Sequence, residues 1–148
     1  VFSSKDELLR AIIRQLSNRK VAGIEADFER TSDLGERLDS VILHMAIKSF
    51  ELLQASPDAE DIVTGFNAAC KEELKSNAVR YHDLLTDMLK PYQRSINSAG
   101  MTVPALADFI QKSTLMIKHE ASDMAHITEL AGSLKALVLH VALAGSGK

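Results

Sequence analysis

The sequence predicts an all-α fold of six helices. Apolar residues recur at i, i+3, i+4 and i+7 through long windows, which is the helical period. Strict apolar–polar alternation is absent, and Ala, Leu, Glu and Lys dominate. Ser, Thr or Asp opens most of the windows, and Gly closes two of them.

The first helix starts at Ser4. Glu7 follows three residues later, the capping-box spacing in which Ser accepts from the N3 amide and Glu reaches back. Leu8, Leu9, Ile12, Ile13 and Leu16 form its apolar stripe to about residue 19. Residues 20–32 contain Gly23 and read as a loop or ragged extension. Asp33 and Glu36 repeat the capping box and open the second helix, over residues 33–54. Leu38, Val41, Ile42, Met45, Ser49 and Leu52 share one face there, and Leu43, Ile47 and Phe50 lie off it. Ser56-Pro57 offers an N-cap followed by Pro at N1, opening a third helix to about residue 75. Its stripe is Ile62, Phe66, Ala69, Cys70 and Leu74.

The fourth helix is expected over residues 78–98, with Tyr81, Leu85, Met88, Tyr92 and Ile96 on one face. Pro91 lies inside it and predicts a kink. Ser98-Ala99-Gly100 ends it. The fifth helix opens near Thr102 and Pro104 and aligns Val103, Leu106, Ala107, Ile110, Thr114 and Ile117, with Phe109 and Met116 widening that face. The sixth runs over residues 123–143 and stops at Gly145-Ser146-Gly147.

Composition narrows the function classes. A chain of 148 residues, 46% hydrophobic and 25% charged, can bury one sizeable core. With net charge −3, it is a poor nucleic-acid binder by itself, because phosphate affinity needs clustered Lys and Arg. A single cysteine, Cys70, excludes an internal disulfide and suits a reducing cytoplasm. No apolar run reaches about 18 residues, and Lys135 and His140 interrupt the longest, so no membrane span or membrane partner is expected. The N-terminus shows no signal-peptide pattern.

Phe2-Ser3-Ser4-Lys5-Asp6-Glu7-Leu8-Leu9 resembles the F-x-S-K-x-x-L-L signature of TetR-family transcriptional regulators. There the signature closes the DNA-binding domain and opens the first helix of the regulatory domain. Residues 1–3 would then be the end of a helix-turn-helix domain absent from this chain, and residues 4–148 the ligand-binding and dimerisation domain. The segment Ser95-Ile96-Asn97-Ser98-Ala99-Gly100, followed by Val103-Pro104-Ala105-Leu106-Ala107, is similar to the family's turn into its penultimate helix. Val103 departs from the usual Asp or Ser before that proline, so capping falls to Thr102. The likeness covers the whole chain in layout and is specific at residues 2–9.

The resemblance implies a cytoplasmic bacterial repressor that dimerises and responds to a small, mostly apolar ligand. Operator DNA would be bound through the missing domain. Candidate ligand-binding residues are Met45, Ser49, Phe66, Cys70, Tyr81, Met88, Tyr92 and Phe109. Met, Tyr, Ser and Cys stand on stripes where a filled core would prefer Leu, Ile and Val. Read singly, each is also an ordinary core residue. Lys5, beside the free amides of the first turn, suits a DNA phosphate. The last two helices are apolar over too wide an arc for one neighbour. Phe109, Thr114, Met116, Ile127, Leu130, Leu134, Leu137, Val138 and Val141 are therefore expected at a four-helix-bundle dimer interface.

Other chemistry is thinly supported. His119, Asp123 and His126 would share a face on an unbroken helix and suit a metal, but a turn is expected between them. His44 and His82 lack matched partners, and Cys70 lacks an activating neighbour beyond Lys71. No phosphate loop, nucleophile elbow or paired-carboxylate motif occurs, so neither enzymatic activity, cofactor nor metal is expected. Two alternatives stay open: a dimeric all-α interaction module without a small-molecule ligand, and a small helical-bundle metalloprotein.

Overall fold

Ser4 and Asp33 cap the first two helices at the positions their spacing predicts. In the computed structural model, which describes residues 4–144 apart from the side chains of residues 59, 60 and 62, the Ser4 hydroxyl accepts from the Glu7 amide at 3.1 Å. Asp33 accepts from the Glu36 amide at 2.9 Å. Phe2 and Ser3 of the N-terminal signature, the Ile62 side chain and the Gly145-Ser146-Gly147 stop lie outside the described residues.

The fold is all-helical, and no strand occurs among the described residues. Helix α1 spans Lys5–Arg30. Helix α2, Leu34–Ile42, passes through a π turn, Leu43–Ile47, into α3, Lys48–Ala55. Helices α4, Ala59–Ala69, and α5, Lys71–Leu89, follow. A 3₁₀ turn at Lys90–Tyr92 leads into α6, Gln93–Ser98. Helices α7, Val103–Glu120, and α8, Met124–Leu143, complete the chain. Because α2–α3 and α5–α6 are each continuous, these segments form six rods.

Several boundaries differ from the sequence reading. Residues 20–30 are helical, not a loop, so α1 runs a further two or three turns past Arg19. Gly23 costs helix propensity but admits the His44 ring: a Cβ built there would lie 2.5 Å from His44 Cε1. The α1–α2 corner is then tied by Arg37. Its guanidinium donates to the Thr31 and Phe28 carbonyls at 2.7 and 2.9 Å and lies 4.9 Å from the Phe28 ring centre. Those carbonyls belong to the end of α1, where cations are favoured.

The π turn changes the face of the second rod. The Lys48 amide bonds back to the Leu43 carbonyl, five residues away. One inserted residue rotates everything after it by about 100°. Phe50, expected off the face, is therefore buried, and Leu52, expected on it, is 57% exposed.

The third helix begins at Ala59 rather than Pro57, with Ser56 in extended backbone. It ends at Cys70, whose ψ of 28° departs from the helical value, so residues 71–75 join α5. Pro91 produces the expected kink, as a 3₁₀ turn. Gly100 has φ +86° and closes a Schellman motif: the Met101 amide donates to the Ile96 carbonyl at 3.2 Å and the Gly100 amide to Asn97 at 3.0 Å. Thr102 caps α7 by accepting from the Ala105 amide at 3.2 Å.

The filled core lies among the second half of α1, α2, the end of α5, and α6–α8. Ile24, Leu38, Val41, Leu85, Met88, Leu89, Ile96, Ile110, Ile127 and Val138 are fully enclosed there. Truncating any large member of such a cluster to Ala costs about 2–5 kcal/mol. Helix α7 is the central rod, against α5, α6, α8 and the π turn. Helix α8 is long and apolar enough to cross a bilayer, with mean hydropathy 1.2, contrary to the expectation that no segment qualifies. Here its Ile127, Ala131, Leu134, Val138 and Ala142 are buried against the rest of the chain.

The Gly23–His44 contact yields a test. Gly23→Ala should lower stability by about 1–3 kcal/mol through overpacking. Adding His44→Ala should recover part of that loss. Thermal melts of both variants, with His44→Ala alone as reference, measure the coupling; strict additivity would place the ring elsewhere.

Candidate ligand cavity

The first half of α1 does not join the filled core. Ile13 and Leu16 are half-buried, Leu8 is 41% exposed, and a cavity of about 370 Å³ opens beside them. Helix α1 contributes Ile13, Leu16, Ser17 and Lys20 to its wall. These positions follow the 13–16–17–20 helical spacing, so one face builds the wall. The π turn and α3 add Met45, Ser49, Leu52 and Leu53; α4 adds Val63, Phe66 and Asn67. Leu74, Asn77, Ala78 and Tyr81 come from α5, and Gln111, Thr114, Leu115, Lys118 and His119 from α7. Exposed Leu52, Asn67 and Leu115 mark where it reaches the surface. The volume lies within the range of small-molecule sites, about 300–1,000 Å³, and the wall is mainly apolar with a few polar groups.

The sequence-predicted ligand residues divide. Met45, Ser49, Phe66 and Tyr81 line the cavity together. Cys70, Met88, Tyr92 and Phe109 do not. Cys70 is buried where the chain turns from α4 into α5, and burial raises its thiol pKa, with the Glu73 carboxylate adding to the rise. Met88 is sealed in the core, since the fourth-helix stripe continues beyond the cavity. Tyr92 packs against the core beyond α5, and Phe109 is 48% exposed on the outside of α7.

Polar groups fix the wall. The Tyr81 hydroxyl donates to Ser17 Oγ at 3.0 Å, and burial raises the Tyr81 pKa. The Gln111 amide donates to the Ala78 carbonyl at 2.9 Å, tying α7 to α5. Thr114, expected at a dimer interface, is instead buried facing inward, its hydroxyl donating to the Gln111 carbonyl at 2.7 Å.

Lys20 and Lys118 were not legible as site residues. Both are half-buried, and neither has an ion pair or hydrogen bond among the described residues. Desolvation lowers the Lys20 pKa to about 8, with the Lys118 charge contributing; burial lowers that of Lys118 as well. His119 is lowered by burial first and by Lys118 second. The available signal was Lys20 standing in phase with Ile13, Leu16 and Ser17.

A second polar cluster lies behind the cavity. Asp27 Oδ2 accepts from Ser40 Oγ at 2.7 Å and sits 3.2 Å from His44 Nε2. The Ser40 hydrogen bond is the largest cause holding the Asp27 pKa below its usual value. Both partners meet the same carboxylate oxygen, so the serine proton goes to the acid and not to the imidazole. That order differs from a nucleophilic triad, in which the histidine stands between them. The cluster pins the π turn to α1.

The His119, Asp123 and His126 face is broken by the α7–α8 turn. Asp123 caps α8 by accepting from the His126 amide at 2.8 Å, and His126 Nδ1 accepts from the Ser122 amide at 3.0 Å. No group of three potential ligands converges among the described residues. His82 Nε2 lies 3.2 Å from the Pro104 carbonyl.

The expected interface residues are also split. Ile127, Leu134 and Val138 are buried within the chain, and Leu130 and Val141 pack partly against the core. Phe109, Met116 and Leu137 are exposed at 48%, 49% and 58%. Lys5 is exposed on the first turn of α1. Comparison with protein-family models, curated proteins and solved structures returns no match.

The Lys20 charge has a stability consequence. Its folded pKa of about 8 lies below the ordinary 10.5, so between these values the unfolded chain binds more protons, and this group makes stability rise with pH. Lys20→Met removes the buried charge. It should stabilise the fold most below about pH 8, and the gain should shrink towards pH 10.5. Urea unfolding at neutral pH and near pH 10 measures it; a gain independent of pH would show that Lys20 is solvated.

Proposed function

We propose that this chain is the ligand-binding and dimerisation domain of a TetR-type transcriptional repressor. What supports the reading is that one continuous helix carries both the start of the signature and a wall of the cavity. Helix α1 begins at the capped Ser4-Lys5 pair of the signature and, a few turns later, forms a wall of the cavity. Anything that fills the cavity bears on α1. In the intact protein, that helix would hold the DNA-reading head. A ligand with different affinity for two placements of α1 shifts their populations by that difference and no more. Two heads reading half-sites about 34–36 Å apart lose binding when their separation changes slightly.

Dimerisation is the second part of the proposal. Phe109 and Met116, seven residues apart, share the outer face of α7, and Leu137 stands on the outer face of α8. Gly132 has open space where a Cβ would point, so another helix can approach closely. A two-fold axis beside these helices would close a four-helix bundle. The intramolecular burial of Thr114, Ile127, Leu134 and Val138 narrows the seam to Phe109, Met116 and Leu137, flanked by Leu130 and Val141.

Sedimentation of the fragment at tens of micromolar should give a dimer. Phe109→Glu and Leu137→Glu should each give a monomer that keeps its helix content, because these side chains are exposed within one chain. A monomeric parent, or a dimer that survives both changes, would refute this interface. For the regulator reading, the coding sequence upstream of Val1 should specify a helix-turn-helix. In that intact protein Lys5→Ala should lower the salt dependence of operator binding by about one charge without altering sequence preference. An upstream region without such a motif ends the proposal.

A further inference from the structure

The cavity has a chemical polarity that its apolar wall conceals. Lys20 from α1 and Lys118 from α7 line the same cavity, and the Lys118 charge disfavours the charged form of Lys20. No Asp or Glu stands among its described lining residues. Two half-buried ammonium groups without an acid are costly, since charges withdrawn from water are ordinarily paired. Ser17, which lines the same cavity, accepts a hydrogen bond from the Tyr81 hydroxyl and has its own hydroxyl proton to donate to a further acceptor. His119 lines the same region. Met45, Leu53, Val63, Phe66 and Leu74, from the π turn, α3, α4 and α5, supply apolar wall.

We propose that the cavity takes an apolar small molecule carrying a single anionic head, its body against Phe66 and Leu74 and its anion between Lys20 and Lys118. This rests on the reading of the cavity as the ligand site and names the class of ligand. The volume of about 370 Å³ suits one ring system or one medium alkyl chain and is too small to enclose a two-chain phospholipid. Each ammonium supplies charge-assisted hydrogen bonds to the head, stronger than neutral ones in a partly desolvated site. Cationic ligands are disfavoured by the same two charges. If the lysine tips instead swing out along their flexible stems to water, the preference for an anion disappears.

Two fluorescent probes with one apolar body separate these cases: anilinonaphthalene sulfonate, which is anionic, and phenylnaphthylamine, which is uncharged. Both should bind the fragment, the sulfonate more tightly. In the Lys20→Met, Lys118→Met double variant, sulfonate affinity should fall by about tenfold to a hundredfold, the range for hydrogen bonds to charged groups. Uncharged-probe affinity should hold or rise. Ser49→Trp on α3 and Ala78→Trp on α5 should each displace both probes, with circular dichroism confirming that the variants fold. If the tryptophans displace both probes but the lysine changes leave their affinity ratio unaltered, the anionic class is overturned and the cavity stands. If neither probe binds the parent, or neither tryptophan displaces them, the cavity reading fails and the proposal with it.

Discussion

The seating of His44 against Gly23 is the constraint on which the arrangement of helices depends. A side chain at residue 23 would occupy the imidazole's place, and the imidazole sits within reach of Asp27 one turn further along α1. Ser40 reaches the same carboxylate from the preceding turn of α2. The Ser40 hydroxyl and the His44 imidazole thus meet at one carboxylate oxygen of Asp27, which joins α2 and the π turn to α1. The π turn at Leu43–Ile47 lies at this junction, and its extra residue decides which side chains of α3 face inward.

From that junction α1 divides the molecule. At it, Ile24 is sealed into the core with residues of α2, α5 and α8. Towards the N-terminus, Ile13, Leu16, Ser17 and Lys20 wall a space that no side chain fills. Dense packing normally leaves few voids larger than water. A cavity of this size, bordered by five rods, keeps its wall in place through polar ties: Tyr81 to Ser17 and Gln111 to the Ala78 carbonyl. These ties explain how the wall can stay ordered without side chains meeting across it.

The charges follow the same division. Most ion pairs, such as Lys135–Asp39 and Lys112–Asp108, are at exposed rims, where they contribute little. Lys20 and Lys118 differ because they are half-buried, face one space and lack carboxylates. Their depressed basicity reflects water withdrawn without a counter-charge in exchange.

Local patterns determined much of this fold. Helical periodicity and the absence of alternation specified an all-α chain of six rods. Ser4, Asp33, Thr102 and Gly100 act at the backbone positions their chemistry suits, since caps depend on groups three or four residues apart. Met45, Ser49, Phe66 and Tyr81 were legible as unusual residues for a filled core. Long-range packing decided the rest. Gly23 reads as a breaker until the His44 ring, 21 positions later in the chain, occupies its notch. The π turn has no local signature, so the exchange of Leu52 for Phe50 on the inner face could not be read in advance. Cys70 and Met88 share stripes with cavity residues but lie at other depths along their helices. Thr114 and Leu134 stand on faces that look surplus until α7 takes the central position. Lys20 and Lys118, nearly a hundred positions apart, become one site only when the fold brings α1 and α7 to the same cavity. Periodicity reports the face a residue occupies; which neighbour that face meets is set by tertiary packing.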